Sequence, residues 1–289
     1  MSAVLIGVTS AKGSPGATTL ALGLALRWPE PGAVVVEADP AGGDLMARFG
    51  RTYHNGGREP GLASMAADAR SGAGVRVDPS RWVQPLPSGV DVVLAEPGAA
   101  AASLRALAVR GPRMLRMLAA GRPAVVLDVG RWEPASPASA LLSVVDVLLV
   151  VLRPVQDEVR VADVRLNGPT GRPIPSAKGR DLSQGREHVE QLTGLVRDVQ
   201  LVTVGGDGWP AVEVAGSLGL PLAATVPNDR RGAGILAGRM VPRRGWQSTG
   251  WTRLPLLRAC RGLALDLDRH AITEASVAPV TEHAGVSGR

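Results

Sequence analysis

Short runs rich in Val and Leu alternate with longer segments of helical spacing along most of the chain, and this alternation restricts the fold more than any other feature. The runs Val4–Thr9, Ala33–Glu37, Val90–Ala95, Ala124–Asp128, Val145–Leu152, Gln200–Val204 and Leu220–Val226 read as strands. Helical patterns fall at Thr18–Trp28, Gly43–Phe49, Gly61–Ala69, Ala100–Ala120 with a break at Gly111-Pro112, Gln156–Leu166, Glu187–Arg197, Ala211–Leu218, Arg231–Gly238 and Leu256–Leu267. Repeated strand–helix units of this kind predict an α/β fold of three layers around a mainly parallel sheet. Such a sheet is covered on both faces, so its strands are uniformly apolar rather than alternating. With six Trp, one Tyr and one Phe among 289 residues, the core must come from Val, Leu and Ala.

The length suits one α/β domain with insertions. The expected domain covers about residues 1–269. It carries a flexible Gly/Pro-rich insertion at about 167–185 and ends in a disordered tail from 270 to 289. The longest mostly apolar run, Leu141–Leu152, contains Asp146 and falls short of the ~20 residues a membrane helix needs. No basic, apolar leader pattern precedes Val4, and the one cysteine, Cys260, suits a reducing compartment. These features predict a cytoplasmic chain. The net charge of +6 is modest for this length, and only Lys12 and Lys178 are lysines, so arginine sets the high pI of 10.7.

Chemistry concentrates where the first strand meets the first helix. Val4–Thr9 runs into Lys12-Gly13-Ser14-Pro15-Gly16-Ala17-Thr18-Thr19, and a helix follows. A glycine-rich turn between a strand and a helix N-terminus gathers backbone N–H groups around an anion. Thr18 is placed to offer its hydroxyl to Mg²⁺. The bland alternative is an ordinary strand-to-helix turn capped by Thr18. Two further apolar strands end in acids: Val34-Val35-Val36-Glu37-Ala38-Asp39-Pro40 and Ala124-Val125-Val126-Leu127-Asp128. Ligands of open α/β sheets sit beyond the carboxyl ends of the strands, and all three motifs end at that edge.

In these segments the chain resembles the MinD/ParA group of P-loop ATPases. Lys12–Thr19 is similar to that group's deviant Walker A motif, KGGxGKTT. Glu37-Ala38-Asp39-Pro40 resembles its DxDP segment, Asp128 its Walker B acid, and Asp146–Arg153 and Leu220–Asp229 its later strand motifs. The resemblance implies ATP and Mg²⁺ as cofactors and a homodimer as the working form. Lys12 would reach a partner subunit's phosphates, and Asp39 would act with it in catalysis. Gly13, Ser14, Pro15, Gly16, Ala17, Thr18, Thr19, Pro227 and Asn228 would bind nucleotide. Thr18, Asp39 and Asp128 would hold Mg²⁺.

Two positions depart from the pattern. The second Walker A lysine is Ala17, and loss of a charged hydrogen bond there costs on the order of 1.5–3 kcal/mol. The amide expected after Gln200–Val204 falls at Gly205-Gly206. The resemblance therefore implies a retained fold with weak or absent ATP binding and turnover, and the divergent TadZ/CpaE-type pilus-localisation branch is the favoured comparison.

No acidic residue lies between Asp229 and Asp266, a stretch that holds Arg230, Arg231, Arg239, Arg243 and Arg244 with Trp246 and Trp251. Such a surface suits DNA, an anionic membrane or an acidic protein partner, or is simply a solvated face. Three readings follow. One is a dimerising scaffold for a membrane- or nucleoid-associated machine, one an active partition- or division-type ATPase, and one a DNA-binding module that uses residues 230–261.

Overall fold

The computed structural model describes residues 3–13, 15–49, 60–72, 77–133, 135–167 and 194–277. Eight strands form one sheet: β1 (Val4–Ser10), β2 (Val34–Glu37), β3 (Gln84–Pro85), β4 (Asp91–Val93), β5 (Ala124–Arg131), β6 (Val147–Leu152), β7 (Asp198–Val204) and β8 (Leu222–Val226), in the order β3-β4-β2-β5-β1-β6-β7-β8. Neighbours run parallel throughout, except that β3 lies antiparallel on β4. The three-layer α/β reading holds. The seven expected strands are all present, and the additional β3 is a two-residue edge piece. Central strands β1, β2 and β6 are buried at every position, as a sheet covered on both faces requires.

Helices α1 (Ala17–Arg27), α2 (Leu45–Arg48), α3 (Leu62–Ser71), α4 (Ala100–Ala106), α5 (Gly111–Ala119), α6 (Ser139–Leu142), α7 (Gln156–Asn167), α8 (Ala211–Leu218), α9 (Arg230–Leu236) and α10 (Pro255–Val277) cover the two faces. One core joins α3 to α8 through Leu62, Leu104, Leu115, Leu141, Val159 and Val214 to the outward side of Leu127 and Val129. The other joins α1, α9 and α10 through Leu20, Leu24, Ile235, Leu257 and Leu263 to Ile6, Val8 and Val126. The approach of α10 to α1 is close: a Cβ on Gly23 would stand 2.5 Å from the Cys260 sulfur.

Asp146, expected inside a strand, stands just before β6 and accepts from the Leu5 amide at 2.7 Å. The helix expected to end at Leu267 continues to Val277, past the residue at which the tail was expected to begin. The expected insertion and most of the Glu187–Arg197 helix lie outside the described residues. No described helix is long and apolar enough to cross a membrane.

Candidate functional site

The order of the strands fixes where a site can form. β1 sits at the centre, β5 and β2 lie on one side and β6 to β8 on the other, so the loops after β1, β2, β5 and β8 open at one edge. A cavity of about 910 Å³ lies there, within the size range of small-ligand sites. Its walls include Gly13, Pro15, Gly16, Ala17, Thr18 and Thr19 from the first loop and helix. Asp39, Asp44 and Arg48 come from the segment after β2, Arg131 and Glu133 from the end of β5, and Asn228, Arg230, Arg239 and Met240 from the far side.

Gly16 is the residue that turns the loop into the helix. Its φ of 107° lies in the left-handed region, where a side chain is strained. Gly16 is the N-cap and has no side chain, so no cap side chain takes up the first amides of α1. The Thr18 hydroxyl goes elsewhere, to the Asp128 carboxylate. Thr18 is therefore not the helix cap that the bland alternative assigns to it.

Asp128 is buried on β5 and also accepts from the Gly130 amide at 3.2 Å. Burial pushes its carboxyl up to about 6, and the neighbouring charge of Asp39 adds to that rise. Asp39 accepts from the Ala41 amide at 2.8 Å and is likewise raised by desolvation. Its carboxylate lies against the bare Cα of Gly130, where a Cβ would stand 2.0 Å from it. Two like charges thus converge beside a hydroxyl at the open edge. This is a set of hard oxygen donors of the kind that fits Mg²⁺, with Asp128 buried behind the cavity wall and the charges of Arg48 and Arg131 nearby. Thr18, Asp39 and Asp128, the three residues named from the sequence as metal ligands, lie near one another.

Glu37 behaves differently from the first acid of a DxDP segment. It accepts from the amides of Asp44 and Leu45 at 3.1 Å each and of Ala95 at 3.0 Å. It is buried, and desolvation pushes its carboxyl up to about 7 despite these three donors. Its oxygens staple β2 to the segments before α2 and after β4 rather than facing the cavity.

Lys12 is absent from the cavity wall. Its ammonium pairs with Asp157 at the start of α7, with both side chains substantially exposed. Pro227 lies behind the wall, where its carbonyl accepts from the Asp229 amide at 2.9 Å, whereas Asn228 reaches the cavity. Ser14 lies outside the described residues. Gly205 has no carboxamide of its own, but Asn228 lies beside it: a Cβ on Gly205 would stand 3.7 Å from the Asn228 Cβ.

The arginine stretch divides. Arg230 and Arg239 line the cavity rather than an outer face. Arg261 donates to the Arg27 carbonyl at 3.1 Å, at the C-terminal end of α1, where a cation is favourable. Arg231, Arg243 and Arg244 are exposed. Trp251 is buried and meets Trp246 edge-on at 5.9 Å, with Phe49 at 6.0 Å from Trp246, so the two tryptophans close the core instead of offering free stacking faces. Cys260 is buried in the α1–α10 contact, which pushes its thiol up to about 12 and removes it as a nucleophile.

Among the charged cavity residues, four were not marked by the sequence: Asp44; Arg48, paired with Asp44 one helical turn before it; Arg131, at the last position of β5; and Glu133. Arg131 follows Asp128 by three positions, which was the only available signal.

No protein-family model matches the chain, and no curated protein matches it in sequence. Solved structures do match. The ParA family ATPase from Chlorobium tepidum TLS superposes with a TM-score of 0.60 at 14% identity, covering 91% of this chain and 98% of that one. The septum site-determining protein MinD from Pyrococcus horikoshii OT3, complexed with Mg-ADP, gives 0.60 at 16% identity over 95% of this chain and 100% of that one. The MinD cell division protein from Aquifex aeolicus gives 0.58 at 15% identity over 92% and 97%. At such identities the likeness defines the fold. This chain has the P-loop fold of MinD and ParA proteins, in agreement with the motif resemblance.

Proposed function

We propose that this chain is a MinD/ParA-like spatial-organisation protein: a dimerising scaffold that binds an adenine nucleotide with Mg²⁺ weakly, turns it over poorly, and positions or regulates a membrane- or nucleoid-associated machine. Pilus or secretion localisation is the favoured setting. One observation carries the reading. The loop before α1 keeps its left-handed Gly16, its uncapped helix start and its Thr18–Asp128 contact, while Ala17 lines the cavity where the motif has lysine.

The residues fit the implied cofactor. Thr18 and Asp128 would hold the metal, Asp128 through water, and Asp39 would orient a water at the same edge. Bound Mg²⁺ would neutralise phosphate charge. The uncapped amides of α1 would bind phosphate oxygens without help from a side chain. Asn228 would face the base. Loss of the Ala17-position lysine removes a cation that stabilises charge during phosphoryl transfer, which affects turnover more than binding. The Pyrococcus horikoshii MinD with Mg-ADP and a Cyanothece McdA–ATP complex support nucleotide as the ligand. The MinC:MinD complex of Aquifex aeolicus supports a protein partner. The exposed Arg231, Arg243 and Arg244 supply a surface for an anionic partner such as DNA or a membrane.

Titration with Mg·ATP and Mg·ADP, followed by a phosphate-release assay, tests the reading. Saturable binding with negligible turnover is the expected result, and Ala17→Lys should tighten binding. Turnover in the natural chain that Lys12→Ala abolishes would replace it with the active-ATPase reading.

A further inference from the structure

The cavity has lost one cation and holds another in an unexpected place. β1 and β5 pair in register from Val4–Ala124 to Val8–Asp128, and then the register slips so that Thr9 faces Gly130 and Ser10 faces Arg131. The slip leaves Val129 as an extra residue in β5. An extra residue in a strand reverses which face the following side chains occupy. Leu127 and Val129 enter the core on one face, and after the slip Trp132, not Arg131, continues that row. Arg131 is thereby turned to the opposite face, the one that carries α1 and its loop.

The slip is pinned by specific bonds. The Thr9 hydroxyl donates to the Gly130 carbonyl at 3.0 Å, and the Trp132 amide to the Ser10 carbonyl at 3.0 Å. Gly130, at φ 67°, takes up the left-handed turn. The consequence lies at the loop. The Arg131 guanidinium rests on the Cα of Gly13, so close that a Cβ on Gly13 would stand 2.7 Å from Nη2. The side chain is solvent-accessible and lines the same cavity as Ala17 and Thr18. Among the described residues it has no salt bridge, although its charge acts on nearby Asp39.

We propose that Arg131 is the polyphosphate-binding cation of this cavity, supplying from the end of β5 the charge that the loop lost at Ala17. This rests on the nucleotide reading above and adds to it the residue that recognises the ligand's di- or triphosphate. A guanidinium suits the task because its planar donors pair with two phosphate oxygens at once, and its charge persists at every working pH.

Calorimetric titration of the natural chain, Arg131→Ala, Arg131→Lys and the double variant Ala17→Lys/Arg131→Ala with Mg·ATP and with magnesium tripolyphosphate tests this. Arg131→Ala should weaken both ligands at least about tenfold, the usual scale for one charged contact. Arg131→Lys should fall between the two. Ala17→Lys should restore much of the loss in the double variant. Circular dichroism of each variant confirms that this accessible side chain is not needed for folding. Equal affinity of Arg131→Ala and the natural chain for both ligands would overturn the assignment while leaving the nucleotide reading standing. Failure of the natural chain to bind either ligand would overturn both.

Discussion

The two ends of the cavity differ in how much chemistry they keep. At the loop end, Thr18, Asp39, Asp128 and Arg131 converge from three separate strand ends, and each is fixed by a backbone or side-chain contact. At the far end, Asn228, Arg230, Arg239 and Met240 line an exposed lip, and the turn after β7 offers only Gly205, with Asn228 beside it as the one carboxamide of the described wall. On the proposed reading, phosphate and metal would meet a built, partly buried constellation, and the base only a single exposed amide and backbone, which gives little discrimination among bases.

The largest expected effect lies just behind the loop end. Glu37 is raised from 4.5 unfolded to about 7 folded, because its burial outweighs three amide donors. The folded state therefore binds the extra proton between those values. Its contribution to stability is greatest below about pH 4.5 and is lost as pH rises to about 7, on the order of 3 kcal/mol. Urea unfolding across that range should show the decline, and Glu37→Gln should flatten it. An unchanged slope in Glu37→Gln would assign the pH dependence to other groups.

Gly16→Ala should come next. Forcing a Cβ onto a φ of 107° costs roughly 1–2 kcal/mol of stability and would disturb the amides proposed to bind phosphate. Its Mg·ATP affinity should fall more than its stability loss alone explains. Asn228→Ala tests the other end: a loss of less than about threefold in Mg·ATP affinity is expected for a solvent-exposed neutral contact. A larger loss than that of Arg131→Ala would reverse the contrast between the two ends. Lys12→Ala should have the smallest effect. Its partner Asp157 sits on an exposed helix start, so neither the unfolding midpoint nor monomer affinity for Mg·ADP should change measurably. A large loss in the isolated chain would show that Lys12 swings into its own cavity.

The legibility of these features in the sequence followed how local their causes are. Uniform apolar runs marked every buried strand, because burial on both faces leaves a pattern that needs no partner to interpret. Gln84–Pro85 escaped because two residues at an antiparallel edge carry no periodicity. The acids at the ends of β2 and β5 were visible, but their division of labour was not. Glu37 turns to amides up to 58 positions away, and no local signal records that. Arg131 was hidden for a sharper reason. Strict alternation from Asp128 would send it to the other face, and only the slip at Val129, which depends on pairing with β1, brings it over the loop. Arg230 and Arg239 looked like members of an outer basic surface until α9 and the segment after it placed them on the cavity.

Whether the turn before α1 is a cradle for a polyphosphate with its metal is tested most directly by equilibrium denaturation of the natural chain with and without Mg·ADP, since a ligand that binds only the folded state stabilises it. At a ligand concentration about tenfold above Kd, the unfolding free energy should rise by about 1.4 kcal/mol, and the rise should vanish when EDTA removes the metal. An unfolding curve that does not move with millimolar Mg·ADP would contradict the account.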